Sequence, residues 1–259
     1  MSTKSILLGS ICALVLGAAS PALADGFAGQ LTGDYANVNI KNGGGSGNIW
    51  GASAQGSQLI GDAVSINADG GYHRAEAFGG HADLWNFDGA LSTLINKGGR
   101  LGATIGYNSV DVSGFGTTNA TNYGLFGEWW ASDMLTVGGK VGGFNGSGTN
   151  GYYGSAMLKG YYMPDLAFAG SIDHTHTNNG GNATAYTLSG EYLVSETTPI
   201  SVGGGYTYTN LAGIHADTWF LSLNFYCNGD SGASTLRDRQ RAAGTLGWDQ
   251  GFGSVMMKF

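Results

Sequence analysis

The sequence predicts an all-β fold: a transmembrane, antiparallel up-and-down β-barrel of about twelve strands, ten or fourteen also fitting the pattern. Three observations predict it. Apolar residues recur at every second position over segments of roughly 10–13 residues, near the length of a tilted membrane strand. Charged residues make up only 11% of the chain, and 48 Gly interleave with 13 Tyr, 11 Phe and 6 Trp. That composition could describe a low-complexity chain, but here the glycines keep period two with aromatics and aliphatics, so disorder is excluded. The third observation is an export signal at the start.

Lys4 supplies a positive first region, Ile6 to Leu16 a largely apolar stretch, and Ala22-Leu23-Ala24 the small residues of a cleavage site. Cleavage is expected after Ala24, giving a signal peptide 1–24 and a mature chain from Asp25. Ile11 before Cys12 is too bulky for a lipoprotein site, so a lipid anchor is not expected. The stretch is too short to remain as a membrane helix, and no other window holds the ~20 apolar residues one needs. After cleavage only Cys227 remains, so no intrachain disulfide is expected.

Twelve strands follow in order, at about 26–36, 49–60, 63–73, 81–95, 100–111, 122–131, 134–144, 152–163, 166–177, 183–194, 199–209 and 216–227. The clearest sets Ile200, Val202, Gly204, Tyr206 and Tyr208 against Ser201, Gly203, Gly205, Thr207 and Thr209. In the last, Trp219, Leu221, Leu223 and Phe225 alternate with Thr218, Ser222 and Asn224, and Phe220 interrupts the polar face. The second is the thinnest, with only Trp50, Ala52 and Ala54 on its apolar side. A water-soluble sandwich alternates too. What argues against it is the spacing of turns: short at Asn96–Gly99, Ser132-Asp133, Pro164-Asp165 and Ser195–Thr198, with longer Gly/Asn/Ser/Thr segments between them at Lys41–Asn48, Ser113–Thr121, Asn145–Gly151 and Asn178–Asn182. Short periplasmic turns and long outer loops are expected of a membrane barrel, and an even strand count returns the chain to the periplasm.

Charge placement is an independent check. With each outer face assigned from large apolar residues alone, Asp34, Asp69, Asp88, Glu128, Lys140, Lys159, Asp173 and Glu191 all fall on the lumen face. A charge facing lipid near the midplane costs roughly 2–4 kcal/mol, which accounts for their exclusion from it. Tyr35, Tyr72, Tyr107, Tyr123, Tyr152 and Tyr208 fall toward the outer ends, and Phe27, Trp129, Tyr162, Tyr192 and Phe225 toward the periplasmic ends, as two aromatic girdles.

With its export signal, Gly-rich alternating strands and terminal Phe259, the chain resembles the outer-membrane β-barrel proteins of Gram-negative bacteria, especially small porin-like ones. The resemblance is architectural and covers the whole chain. It implies an outer-membrane location, with outer-membrane lipids, lipopolysaccharide and the barrel assembly machinery as partners, and small solutes or ions as cargo. Nucleic acid is not an expected partner, and a cofactor is not expected. The class includes channels, enzymes and adhesins, so function must be argued from sites. A barrel spanning 25–227 leaves a tail, 228–259, in which Gly251, Gly253, Val255, Met257 and Phe259 imitate a last strand. A thirteenth strand would break the even count, so a periplasmic or lumen-inserted tail is expected.

The strongest candidate site is the lumen ladder Glu128–Lys140–Lys159–Asp173–Glu191 on five consecutive strands. Rings of charge set ion selectivity in pores; the plainer reading is a set of ion pairs closing a narrow barrel. Much of the remaining lumen face is Gly, Ser, Thr and Ala, which leaves space for water. Residues 25–227 carry 6 Lys/Arg against 15 Asp/Glu, so an open pore would prefer cations mildly. Arg237, Arg239 and Arg241 alternate in the tail and could plug an acidic lumen, or form an ordinary solvated charge run. His73 falls on the inward parity, while His81, His174, His176 and His215 fall outward, toward the headgroup boundary, and a metal site is not expected. Ser171, Asp173 and His174 suggest a triad, but strand neighbours point to opposite faces. The glycines of Gly138–Gly148 have no following helix, and Lys140 sits mid-strand. No enzyme signature remains. The expectation is a porin-like diffusion channel for small hydrophilic solutes, with a structural or surface-interaction barrel of filled lumen as the alternative and a membrane-embedded hydrolase behind both.

Overall fold

A computed structural model of the chain describes residues 27–41, 45–61, 63–77, 79–95, 98–146, 149–178, 181–194, 199–228 and 235–243. The expected cleavage site and the strand-like run Gly251–Phe259 lie outside them. The strands are β1 (Phe27–Lys41), β2 (Gly45–Ile60), β3 (Val64–Ala77), β4 (Gly80–Leu94), β5 (Gly99–Val112), β6 (Gly116–Ser132), β7 (Leu135–Gly146), β8 (Thr149–Met163), β9 (Leu166–Thr177), β10 (Gly181–Leu193), β11 (Ile200–Leu211) and β12 (Ile214–Asn228). Each pairs antiparallel with its neighbours in sequence, and β1 closes on β12. The fold is the twelve-stranded closed barrel that the alternation predicts. The end where β1 begins and β12 finishes is the terminal end; the opposite one is the far end.

Polar side chains hold the closing seam from inside. Gln30 donates to Thr32 and to Asn224 at 3.1 Å, Thr32 donates to Asn224 at 2.9 Å, and Gln55 donates to Gln30 at 2.9 Å. Outside, Ile66, Leu91, Leu101, Ile105, Leu125, Val141, Leu158, Leu188 and Leu221 stand exposed around the wall, each flanked by inward-facing neighbours. That is the surface a bilayer covers.

Around the far end this pattern inverts. On β1, Ala36, Val38 and Ile40 turn inward while Asn37, Asn39 and Lys41 stand exposed outside. The other strands change phase at the same level: Ile49 in and Asn48 out on β2, Leu84 in and Asp83 out on β4, Ala183 in and Asn182 out on β10. Outward-facing tyrosines mark the crossing on three strands, their hydroxyls reaching a polar residue beyond it: Tyr35 to Asn48 (2.8 Å), Tyr72 to Asp83 (2.7 Å) and Tyr206 to Asp217 (2.6 Å).

This inversion overturns the expectation of long outer loops. The polar segments are strand, so the far connections shrink to 42–44, 78–79, 113–115, 147–148, 178–180 and 212–213, and the longest connection, 194–199, lies at the terminal end. Polar outward residues with small or apolar inward ones make a good strand in water, which is where these residues are. A 15-residue strand tilted by about 40° rises roughly 38 Å, against an apolar band about 25 Å tall, so the surplus must stand outside the bilayer.

Candidate functional site

The lumen is divided lengthwise. A cavity of about 190 Å³ lies against β1, β2 and β8–β12, and Asp34, Lys159, Asp173 and Glu191 line it together with Ser, Thr, Gln and Asn side chains. Asp69, Asp88, Glu128 and Lys140 are also on the inward parity, but they are buried in the opposite half, β3–β7. The ladder of five charges is therefore not one continuous row. Glu128 faces Arg100 Nε at 3.3 Å, and Lys140 lies 5.6 Å over the Tyr153 ring. Lys159, Asp173 and Glu191 reach the water-accessible side.

Aromatic rings explain why half of the lumen is filled. Phe126 lies across Gly102, Tyr153 across Gly124 and Gly142, and Phe144 across Gly151, each so close that a Cβ on those glycines would fall within 2.5 to 2.7 Å of a ring or hydroxyl atom. Glycine on this wall does not leave room for water, as expected from the sequence; it leaves room for a neighbour's ring, which covers the bare backbone. On the cavity side Phe220 covers Gly205 in the same way, its ring 2.7 Å from the Cβ position.

A short helix, α1 (Leu236–Ala243), occupies the terminal end of the lumen. Its Leu236 is fully buried among Tyr161, Ala167, Leu193 and Tyr226, which face inward from the wall. The Leu236 N–H donates to the Pro164 carbonyl at 2.8 Å. Arg241 donates to the Ser132 and Leu135 carbonyls and to Thr136, and lies 5.4 Å over Trp130 and 5.5 Å over Tyr161. Arg237 reaches Asp133 and Asp238, and Arg239 is buried. The two outer arginines thus grip the β6–β7 turn and the wall, not the acidic side chains of the cavity.

Gln240 is what joins the helix to the charges. Its amide donates to Glu191 at 2.6 Å and its oxygen accepts from Lys159 at 3.2 Å. Glu191 also accepts from Tyr226 at 2.6 Å, from Asn224 at 3.1 Å and, in a short contact, from Ser201. Arg100 completes the contact through a short hydrogen bond to the Arg241 carbonyl. Sequence reasoning missed Arg100, Gln240 and the helix. The signal for the helix was present: Thr235 stands three residues before Asp238, and Thr235 Oγ1 accepts the Asp238 N–H at 3.1 Å as a cap.

The remaining candidates separate cleanly. His73 faces inward and meets Asp34 at 3.1 Å. His174 and His176 face outward against Thr184 and Asn182, and His215 against Tyr208. Ser171 donates to Asp173 at 3.2 Å on the lumen side, with His174 on the other face. Gly138 and Lys140 lie within strand β7.

No family model matches this chain, and no curated protein matches it. Solved structures match by shape. An outer-membrane channel from Pseudomonas putida F1 superposes with a TM-score of 0.60 at 10% identity, over 77% of this chain and 94% of that one. The KdgM porin, in complex with disordered oligogalacturonate, gives 0.54 at 10% identity, over 75% and 98%. This chain has the fold of these outer-membrane β-barrels. The translocator domain of the autotransporter NalP from Neisseria meningitidis shares the barrel as well, at 0.52 and 14% identity, over 86% and 97%. Likeness at these identities is one of fold. Since the fold serves both channels and a translocator, the function of this barrel has to be argued from its lumen.

Proposed function

We propose that this barrel is a porin-like channel for passive diffusion of small hydrophilic solutes, mildly cation-selective and without enzymatic activity. The observation that carries the reading is the polar cavity of about 190 Å³ in which Asp34, Asp173 and Glu191 stand against Lys159, the one Lys or Arg among the described residues that line it. Three carboxylates to one ammonium in a narrow space favour cations by field alone. Helix α1 acts as a plug at the periplasmic mouth, held by Arg237, Arg241 and Gln240. Outer-membrane lipids and lipopolysaccharide surround the wall, and the barrel assembly machinery inserts it. The tightly packed β3–β7 half favours a second reading, a structural or surface-interaction barrel with a filled lumen.

Planar-bilayer conductance of the refolded mature chain, beside a chain ending at Cys227, decides between them. The channel reading expects steps that grow on truncation, prefer cations, and lose that preference on Asp173→Lys. Silence from both chains, with insertion verified by protease protection, would leave the structural barrel.

A further inference from the structure

Lys159 and Glu191 meet through a third side chain. Both line the cavity, from β8 and β10, on either side of β9. Ala169 lies opposite Lys159 and Ala167 opposite Glu191, so β9 presents only methyl groups between the two charges and leaves a gap. The Gln240 amide spans that gap: its nitrogen donates to Glu191 Oε2 at 2.6 Å and its oxygen accepts from Lys159 Nζ at 3.2 Å. The wall meanwhile holds the other carboxylate oxygen, since Ser201, Asn224 and Tyr226 all donate to Glu191 Oε1. Oε1 thus fixes the carboxylate, and Oε2 is turned to Gln240. The wall offers one fixed anionic acceptor and one cationic donor, spaced so that the two ends of a single small group reach both.

We propose that the gap between Lys159 and Glu191 is a solute subsite for small zwitterions of the α-amino acid class, and that Gln240 holds the solute's place when the subsite is empty. The inference rests on the channel reading, whose cargo it narrows. In an α-amino acid the path from ammonium nitrogen to carboxylate oxygen is one atom longer than the path from nitrogen to oxygen in an amide, so both fit one gap with a small adjustment. The ammonium takes Glu191 Oε2 and the carboxylate takes Lys159. Each contact then joins two opposite charges, where the amide offers only a dipole, so the solute competes with Gln240. A lone cation would leave Lys159 facing it and a lone anion would leave Glu191, so the pair selects a solute bearing both charges. Size agrees. The cavity of about 190 Å³ is smaller than the ~300–1,000 Å³ of pockets for drug-sized ligands, which suits a single amino acid, and Ser171, Thr187 and Ser189 line it with hydroxyls.

The test uses the full mature chain in a planar bilayer at neutral pH, with glycine as the probe. Glycine carries no net charge there, so it acts by occupying the subsite and interrupting the ionic current. Interruption is expected at concentrations about 10-fold or more below those at which methylammonium, acetate or 6-aminohexanoate act, since each of these reaches only one partner at a time. Gln240→Ala, with α1 still seated by Leu236 and Arg241, is expected to move the glycine midpoint severalfold lower. Lys159→Gln or Glu191→Gln is expected to abolish the preference for glycine. A channel that conducts but shows no such preference even with Gln240→Ala, or keeps it in Lys159→Gln, would overturn the subsite and leave the channel reading in place. Silence from the full-length chain and from one ended at Cys227 would overturn the channel reading instead. Equilibrium dialysis of glycine against the refolded protein in detergent then decides the subsite, which stands if Gln240→Ala tightens binding and Lys159→Gln removes it, and falls if neither change has an effect.

Discussion

Glu191 shows how a charge is kept inside this barrel. Four donors converge on its carboxylate, from Ser201, Asn224, Tyr226 and Gln240, on two strands and the helix. Charge-assisted bonds of this kind replace the water the group loses. Alternation alone revealed that Glu191 faces inward; the donors could not be read, because three of them come from residues 33 to 49 positions away in sequence. Ala212 is a different case. It takes a left-handed backbone, φ 49°, beside Gly213 at φ 93°, in the two-residue turn between β11 and β12. Such a turn suits glycine or asparagine at both places, and a Cβ there costs roughly 1–2 kcal/mol. Ala212→Gly is therefore expected to stabilise the barrel by about 1 kcal/mol, less the added freedom of the unfolded chain. A urea titration of the refolded protein, read by the heat-modifiable gel shift, would register it as a higher midpoint.

Among the elements, the strands were legible and the helix was not. A strand announces itself by period two over a dozen residues, whereas the eight residues of α1 bury only Leu236 fully and carry few apolar neighbours to give a helical stripe. Its stability comes from its cap and its seat. Burial would raise the Asp238 carboxyl, but hydrogen bonds from Arg237 and Thr235 outweigh it and hold the group below the usual carboxylate range. A carboxylate depressed in the folded state contributes stability that is complete above its ordinary pKa and is lost as pH falls through the folded value. Docking of α1 is thus expected to be firm at neutral pH and to loosen in acid. Thr235→Ala should weaken it at every pH, by about 1 kcal/mol, through loss of the cap. Protease nicking of residues 235–243 against pH checks both, and nicking that stays flat across the acid range would refute the pH dependence.

At the scale of the whole molecule, one barrel passes through two solvents. The bilayer section carries apolar residues outside and polar ones inside, and the far section carries the reverse. Strand β6 contains both on one face, with Leu125 in the apolar band and Thr117 beyond the Tyr123 girdle. Leu125→Arg is expected to cost roughly 2–4 kcal/mol in vesicles, and Thr117→Arg less than about 1 kcal/mol. Equal costs would place both residues in the same medium and remove the boundary. The lengthwise division of the lumen belongs to this scale too. The cavity occupies one side, and rings seated on glycines of the next strand fill the other, so the ladder charges Glu128 and Lys140 lie apart from Lys159, Asp173 and Glu191.

By itself the sequence determined the barrel, the inward parity of all eight lumen charges and the outward aromatics, because period two couples every side chain to one of two faces; it gave about twelve strands, and the closure of β1 on β12 fixed the number. Phase reversals such as Tyr35-Ala36-Asn37-Val38 were also written in it, but they read as loop until the strands were seen to continue into water. Tertiary structure alone decided which charges meet water, which glycines are covered by rings, and where Gln240 and Arg241 dock. Those outcomes depend on strand register and on a helix returning to the lumen, and neither leaves a local trace, since each is settled by contacts between residues far apart in the chain.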